Sequence, residues 1–345
     1  MSVFSMSICK FLWNNAAALA AKEPFPVPGA PPSLRLEITD IPVEIRNSVD
    51  QLKPTTQFMK SVGETDVGSW GVIVNSFMEL EPPAYVELLE SFYRQAGGGR
   101  TWLVGPLNLL AGDKAKNCSE TECIQWLDRQ PEGSVVYIAF GTQASVSDEQ
   151  LDEVASGLLQ AGVRFLWVVR SDTWVASIEA GDLGRIERGW VPQKEVLSHA
   201  AVGGFVSHCG WNSVLEALAA GVAVLAFPMM AEQSLNAKMV GDEIGIGLRL
   251  PAPGAGGVVG RKDVEEGVRE LMGGEKGRRA RKMAQEMAKK ARDAVVEGGS
   301  SYLMMEKLLE ELRKVPKAVA ASAAAAGVVE GEETGEWSGK EVTCI

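Results

Sequence analysis

Short apolar segments alternate with longer amphipathic segments along most of the chain. The apolar segments have the length of buried strands, and the segments between them have helical spacing. The pattern predicts strands at residues 71–76, 101–104, 135–140, 165–169, 202–207 and 222–227, and helices at 82–95, 147–160, 212–220, 261–272, 275–297 and 300–314. This alternation indicates an α/β fold with a doubly wound parallel sheet, which binds ligands at the carboxyl ends of its strands.

Three other segments do not fit this alternation. Residues 24–32 contain five prolines, and we expect them to be extended at the surface because proline fits neither a helix interior nor a central strand. Residues 108–123 are polar and aperiodic, which predicts an interdomain linker. From residue 315 onward, alanine, glycine and acidic residues dominate without a core pattern, so we expect a disordered tail.

The segment from residue 190 to 233 carries the polar groups of a ligand site. The apolar run at 202–207 is followed by His208 and a glycine turn, and Asn212 or Ser213 is placed to cap the next helix. The free N–H groups and the positive dipole end of that helix favour an anion. We therefore expect a diphosphate near Asn212 and Ser213, with His208 as a further donor.

Four more positions in this segment suit a nucleotide sugar. Glu216 lies four residues beyond Asn212 on the same helix face, where its carboxylate can accept both hydroxyls of a ribose. Trp190 offers a flat apolar face on which a base can stack. Glu232 and Gln233 follow the next strand and supply acceptors and donors for sugar hydroxyls. The segment therefore predicts a nucleotide-sugar site.

With these residues in these positions, the segment 190–233 resembles the signature box of plant secondary-metabolite UDP-glycosyltransferases, glycosyltransferase family 1. The resemblance implies that Trp190 stacks on uracil beside Val191 and Gln193, that Glu216 holds the ribose, and that His208, Asn212 and Ser213 bind the diphosphate. It also implies that Trp211, Glu232 and Gln233 face the sugar. Because the final glutamine usually accompanies glucose in this family, UDP-glucose is the expected donor.

The resemblance extends to most of the chain outside the box. Residues 135–142 resemble the first strand and loop of the family's donor domain, where Thr142 is expected to reach the diphosphate. The implied fold is of the GT-B type, with two Rossmann-like lobes. The predicted division is a partial acceptor lobe at 1–107, the linker at 108–123, a UDP-sugar-binding lobe at 124–314 and the tail at 315–345.

The family's catalytic base has no counterpart in this sequence. The family begins with a strand and a glycine-rich turn that carries a histidine, whereas His199 and His208 of this chain both belong to the box. We therefore expect the N-terminal lobe to be incomplete. The implied activity is metal-free, inverting transfer of glucose to a hydroxyl of a small lipophilic acceptor of the flavonoid, phenolic or hormone type. The alternative function is binding of a UDP-sugar without catalysis. A sugar-nucleotide epimerase is a third, less favoured alternative.

The composition of the chain limits the binding partners and the cellular compartment that we expect. A net charge of -11 argues against nucleic acids and anionic membranes as binding partners, because both are negatively charged. Five scattered cysteines favour reduced thiols over a metal site, and no apolar run reaches the length of a membrane helix. We expect a cytoplasmic monomer without a signal peptide. Individual residues also have structural alternatives: His199 and Trp211 can serve packing, and Glu216 can be a solvated position.

Overall fold

The computed structural model of the protein describes residues 1–15, 23–46, 57, 61, 65–66, 69–95, 99–110, 121–175, 181–253 and 257–325, with the side chains of 14 and 315–325 left out. It divides into two compact units, Met1–Met304 and Met305–Ile345. All strands described lie in the first unit, and the described part of the second is helical. None of the described helices is long and apolar enough to cross a membrane.

The first unit contains strands in three sheets. The strands are β1 Phe25–Pro26, β2 Arg35–Leu36, β3 Gly71–Val74, β4 Arg100–Leu103, β5 Val135–Ala139, β6 Arg164–Val168, β7 Gly184–Glu187, β8 Val202–Ser207, β9 Val224–Ala226 and β10 Gly247–Arg249. The helices are α1 Val3–Asn14, α2 Val43–Arg46, α3 Pro83–Gln95, α4 Leu107–Leu110, α5 Glu122–Leu127, α6 Asp148–Ala161, α7 Gln193–Leu197, α8 Trp211–Ala220, α9 Gln233–Lys238, α10 Arg261–Gly273, α11 Glu275–Val295 and α12 Ser300–Ala325. Short 3₁₀ turns occupy Ile38–Asp40 and Gly181–Leu183, and a π turn occupies Met239–Glu243.

Six parallel strands form the main sheet, in the order β10-β9-β8-β5-β6-β7. The chain winds outward from β5 through β6 and β7, then returns to the other side of β5 and continues through β8, β9 and β10. The strand order therefore reverses between β5 and β8, and such a switch point opens a crevice at the carboxyl ends of the two strands. The predicted doubly wound parallel sheet is confirmed.

Both faces of this sheet are covered, as the continuous apolar runs require. All five residues of β5 are buried. Val135 and Tyr137 pack into the core on one face, while Val136 and Ile138 pack into the core on the other. A fully buried strand at the switch point gives the loops that follow it a rigid support.

A smaller parallel sheet joins β3 and β4, and α3 packs against β4 and against the N-terminal helix α1. The side chain of Glu81 is buried and accepts hydrogen bonds from the backbone N–H groups of Val3 (2.8 Å) and Phe4 (3.2 Å) and from the Ser76 hydroxyl (2.7 Å). A carboxylate at this helix start satisfies backbone donors that have no partner within the helix. Glu81 thus connects α1 to the loop after β3.

The structure differs from the sequence predictions at several boundaries. Strands β7 and β10 and helix α1 were not predicted, and the ends of the predicted linker are helical, in α4 and α5. The last helix continues past residue 314 to Ala325, because the alanine-rich run after residue 317 has the highest intrinsic helix propensity. The remaining predicted tail, 326–345, and the middle of the linker, 111–120, lie outside the described residues.

Candidate functional site

The loops after β5 and β8 meet at the switch point. Ala139 at the end of β5 pairs with Ser207 at the end of β8, so the residues that follow each strand lie side by side. The turn after β8 contains Cys209 at φ 63°, and the loop after β9 contains Ala231 at φ 51°. Residues other than glycine seldom adopt this conformation, and it concentrates at binding and catalytic loops. Two such residues at one crevice mark it as the candidate site.

His208 stands between two glycines at this crevice. A Cβ atom added to Gly141 would lie 2.8 Å from Nε2 of His208, and one added to Gly210 would lie 2.5 Å from the same atom. Both positions therefore admit only glycine while the ring stays in place. Burial lowers the pKa of His208, and the Ala139 carbonyl and the Glu232 carboxylate offset part of that shift. The ring is therefore neutral at neutral pH.

The next residue, Cys209, is not a nucleophile. Its thiol is fully buried, and burial raises its pKa to about 12. A thiol that stays protonated is unreactive. The amide of Asn236 donates to the Cys209 carbonyl at 2.9 Å, which holds the turn in its unusual conformation.

A cleft of about 230 Å³ brings together four of the predicted site residues: Thr142, His208, Glu232 and Gln233. The Oε1 atom of Gln233 accepts hydrogen bonds from the backbone N–H groups of Met229 and Met230, each at 3.0 Å. Gln233 therefore holds the loop that carries Glu232. The cleft is lined by hydroxyl, imidazole, carboxylate and amide groups, a combination suited to a polar ligand.

The start of α8 also faces this region, although its cap differs from the prediction. Gly210 is the N-cap residue, without a side-chain hydrogen bond, and Gly221 ends the helix in the left-handed conformation. The prediction that Asn212 or Ser213 caps the helix is wrong, because the helix already begins at Trp211. The amide groups of residues 211–213 consequently have no acceptor within the helix and are available to an anion.

A second cluster of polar side chains lies along α8 and α7. The amide nitrogen of Gln193 donates to Glu216 Oε2 at 2.7 Å and to Ser213 Oγ at 3.0 Å. The hydroxyl of Tyr137 donates to Oε1 of the same amide at 3.3 Å. The pKa of Tyr137 is raised by burial and, to a smaller extent, by the negative charge of Glu216. The sequence predictions included Gln193, Ser213 and Glu216 but did not include Tyr137.

The remaining predicted residues occupy different environments. Trp190 is 70% exposed, so its ring is free to stack, and the adjacent Val191 is buried. Trp211 is only 3% exposed, and its indole N–H donates to the Asn75 carbonyl at 2.7 Å. This hydrogen bond connects Trp211 to the loop after β3. The side chain of Asn212 contacts Asn75 as well.

His199 lies in a structural setting. Its Nε2 atom is 3.1 Å from Asp128 Oδ1, and its Nδ1 atom accepts a hydrogen bond from the backbone N–H of Ala201 at 3.1 Å. Both ring nitrogens are thus engaged in the turn before β8. Among the described residues, no group of three or more histidine, cysteine or acidic side chains is arranged to hold a metal ion.

A larger cavity of about 720 Å³ adjoins the cleft through the loop after β9. It shares Met230 and Ala231 with the cleft, and its other walls come from residues around Thr39 and Arg46 and from the loop after β10. The Glu44 carboxylate accepts from the Ala231 N–H at 3.2 Å, which ties the wall of the larger cavity to the strained loop. The two cavities together could hold two ligands on either side of one loop.

Comparison with known proteins adds independent findings. The family model described as "UDP-glucoronosyl and UDP-glucosyl transferase" matches residues 100–275. The chain is 40% identical over 317 residues to UDP-glycosyltransferase 73B4 of Arabidopsis thaliana, and 36% identical over 320 residues to anthocyanin 3'-O-beta-glucosyltransferase of Gentiana triflora. Each alignment covers 85% of this chain, but 63% and 65% of the respective relative. The chain thus spans less than two thirds of the length of these curated relatives.

Solved structures of similar proteins also cover most of this chain and a smaller share of their own length. A transferase from Siraitia grosvenorii in complex with UDP superimposes with a TM-score of 0.77 at 30% identity, covering 90% of this chain and 76% of that one. UGT2 of Phytolacca americana, complexed with UDP-2fluoro-glucose and pterostilbene, superimposes with a TM-score of 0.75 at 30% identity, covering 88% and 69%.

Proposed function

Because this chain belongs to the UDP-glucoronosyl and UDP-glucosyl transferase family, we propose that it binds UDP-glucose at the switch point and transfers glucose to a hydroxyl of a small lipophilic acceptor. The acceptor is of the flavonoid, phenolic or hormone type, and the transfer inverts the anomeric centre. Solved relatives bound to UDP and to a UDP-sugar with pterostilbene support both ligand classes. We also propose that the protein is a monomer and is cytoplasmic, and the free thiols of Cys9, Cys123 and Cys209 support the reducing compartment.

The convergence of His208, Glu232, Gln233 and the start of α8 on one crevice is the observation that carries this proposal. The diphosphate is assigned to the free N–H groups of α8, with Thr142 and His208 beside it. Along the same helix, the carboxylate of Glu216 is assigned to the ribose hydroxyls. In this arrangement the exposed ring of Trp190 stacks on uracil, and the sugar meets Glu232 and Gln233.

The chemistry proposed is a single displacement at the anomeric carbon. The acceptor hydroxyl attacks that carbon as its proton passes to water, and the bond between the sugar and the diphosphate breaks, with the electron pair going to the leaving diphosphate. Negative charge develops on the leaving diphosphate, and preorganised N–H donors at a helix start can stabilise it without a metal ion. The chain's own contribution to this step is the start of α8 together with His208.

The second candidate function is binding of a UDP-sugar without transfer. The environments of the two histidines in the sequence favour this candidate. His199 is bonded to Asp128 and Ala201, whereas His208 belongs to the donor cleft. Neither is placed to deprotonate an acceptor. Loss of a general base commonly costs about 10²- to 10⁴-fold in rate. Any transfer by this chain is therefore expected to be slow.

One experiment separates the two candidates. The purified chain is titrated with UDP-glucose by calorimetry and then incubated with a panel of flavonols and phenols, and glucosides are sought by mass spectrometry. Binding with product supports the transferase. Binding without product supports the second candidate, and absence of binding contradicts both.

Glu216→Ala is expected to weaken UDP binding by about 1–3 kcal/mol, the usual penalty for leaving hydrogen-bonded polar groups unpaired. Calorimetric titration of both proteins with UDP measures the effect. Glu286→Ala, an exposed glutamate of α11, is the matched control and should bind UDP like the wild type. Equal affinities for the wild type and Glu216→Ala would contradict the ribose assignment.

UDP binding at about pH 8 is expected to proceed without proton uptake by His208, because burial lowers the pKa of the ring and so favours its neutral form. The calorimetric enthalpy should therefore be the same in buffers whose own ionisation enthalpies differ. An enthalpy that follows the buffer, and loses that dependence in His208→Gln, would show that the ring binds the diphosphate as a cation.

A further inference from the structure

Asn75, in the loop that follows β3, touches the helix start to which the diphosphate is assigned. The backbone N–H of Leu107 donates to the Oδ1 atom of Asn75 at 2.9 Å. Because a backbone N–H can only donate, this contact fixes which end of the Asn75 amide is oxygen. The Nδ2 atom of Asn75 must then point the other way.

On that side, Nδ2 of Asn75 donates to the Oδ1 atom of Asn212 at 3.3 Å. The hydrogen bond from Leu107 therefore also determines the orientation of the Asn212 amide. With its oxygen engaged by Asn75, Asn212 has its own NH₂ group left to offer. An NH₂ group attracts a phosphate oxygen, whereas the carbonyl oxygen of a reversed amide repels it.

The surroundings hold Asn75 in place. Its backbone carbonyl accepts the indole N–H of Trp211 at 2.7 Å, which ties it to the first residue of α8. Gly105 packs against its side chain so closely that an added Cβ would lie 2.4 Å from Oδ1. The carbonyl of Gly105 in turn accepts from the Ser301 hydroxyl. The contact between Asn75 and Asn212 is thus built into the fold from several sides.

We infer that Asn75 is a positioning residue for donor binding, which orients the Asn212 amide so that its NH₂ group faces the diphosphate. The inference rests on the proposed function, because it takes the assignment of the diphosphate to the start of α8 as given. Asn75 itself need not touch the ligand. It acts from the loop after β3, outside the six-stranded sheet that supports the rest of the cleft.

Two substitutions at residue 75 test this orientation. Asn75→Asp keeps the shape but offers only acceptors, so it retains the Leu107 contact and draws the Asn212 NH₂ group toward itself, which turns the amide oxygen to the ligand. Asn75→Ala removes the acceptor of the Leu107 N–H and leaves the Asn212 amide free to rotate without turning its oxygen to the ligand. The affinity for UDP is expected to fall about 10-fold or more for Asn75→Asp and less for Asn75→Ala.

Uridine is the matched ligand, because it lacks the diphosphate. Calorimetric competition with uridine should give the same affinity for the wild type and both variants. The Asn212→Ala background supplies a double-mutant cycle, in which Asn75→Asp should lose most of its effect. The small effect that remains there measures the added negative charge and should vanish at high salt.

Three outcomes would overturn the inference while leaving the donor site intact: wild-type affinity for UDP in both variants, a parallel loss of uridine affinity, or an undiminished effect of Asn75→Asp in the Asn212→Ala background. Each would show that Asn75 does not act through the Asn212 amide. Failure of the wild type to bind UDP at all would overturn the inference together with the proposed function. Thermal denaturation of each variant verifies that it is folded.

Discussion

Gly141→Ala is expected to weaken UDP binding about 100-fold, because the added methyl group would displace the His208 ring and remove its charge-assisted contact with the diphosphate. The new Cβ would lie 2.8 Å from Nε2 of His208, which is shorter than real Cβ contacts, and 3.0 Å from Cε1, which is tighter than most of them. The imidazole is rigid and cannot bend away as a flexible side chain would. The dissociation constant for UDP, measured by calorimetry, reports the loss.

Gly133→Ala is the matched control for this substitution. Gly133 also has a positive φ, 60° against 80° for Gly141, so alanine meets comparable backbone strain at both positions. An added Cβ at Gly133, however, has no neighbour within 4 Å. Both variants should lose stability through backbone strain, Gly141→Ala should lose more because it also displaces the ring, and only Gly141→Ala should lose affinity. Similar UDP affinities for the two variants would contradict the role assigned to His208.

Glu81→Ala is expected to lower the free energy of unfolding by about 3 kcal/mol, because it leaves the N–H groups of Val3 and Phe4 and the hydroxyl of Ser76 buried without an acceptor. Glu79→Ala is the control. Glu79 lies two residues away on the exposed side and bonds only to the Ser300 hydroxyl in the described structure, so its loss should change stability by about 0.5 kcal/mol or less. Denaturant titration measures both variants.

The effect of Glu81→Ala should also depend on pH. Burial raises the pKa of Glu81 above 4.5, and hydrogen bonds from Ser76, Val3 and Phe4 offset part of that shift. A group whose pKa rises on folding stabilises the protein below its unfolded pKa, and this contribution declines as the pH increases through the folded pKa. The free energy of unfolding of the wild type should therefore exceed that of Glu81→Ala by the largest amount at acid pH. A difference that grows with pH would contradict the raised pKa.

The main sheet was predictable because its strands are buried on both faces. Continuous apolar runs at 135–140 and 202–207 leave few alternatives to a parallel strand, and the structure places β5 and β8 there. Strands β7 and β10 lie at the two edges of the sheet and contain only four and three residues. Their burial is partial, so their sequences carry polar and glycine residues without a strand period.

Helix α1 escaped prediction for a different reason. Its buried serines, Ser5 and Ser7, interrupt the apolar spacing that would mark a helix. The hydroxyl of Ser5 donates to Asn236 at 2.7 Å, a partner more than two hundred residues away in the chain. A local pattern cannot show that a buried hydroxyl will be satisfied by so distant a residue.

At the site, the sequence analysis predicted polar residues on the loops after β8 and β9. It did not predict the residues that hold site residues in place. Tyr137 contacts Gln193 from within an apolar strand, and the only local signal was a hydroxyl among aliphatic residues. Asn75 reaches α8 from another part of the fold, at a strand end where a polar residue is ordinary. Such contacts depend on how separate elements pack, which a one-dimensional pattern does not contain.

The outward winding from β5 in two directions has a consequence for the order in which the protein forms. Strands β5, β6 and β7 are contiguous in sequence and can pair as soon as they leave the ribosome, whereas β8 to β10 follow later and must join at the open edge of β5. The crevice between β5 and β8 therefore forms only when the later strands join the earlier ones. A ligand held there spans the junction of an early half and a late half, so it binds only after β8 has joined β5.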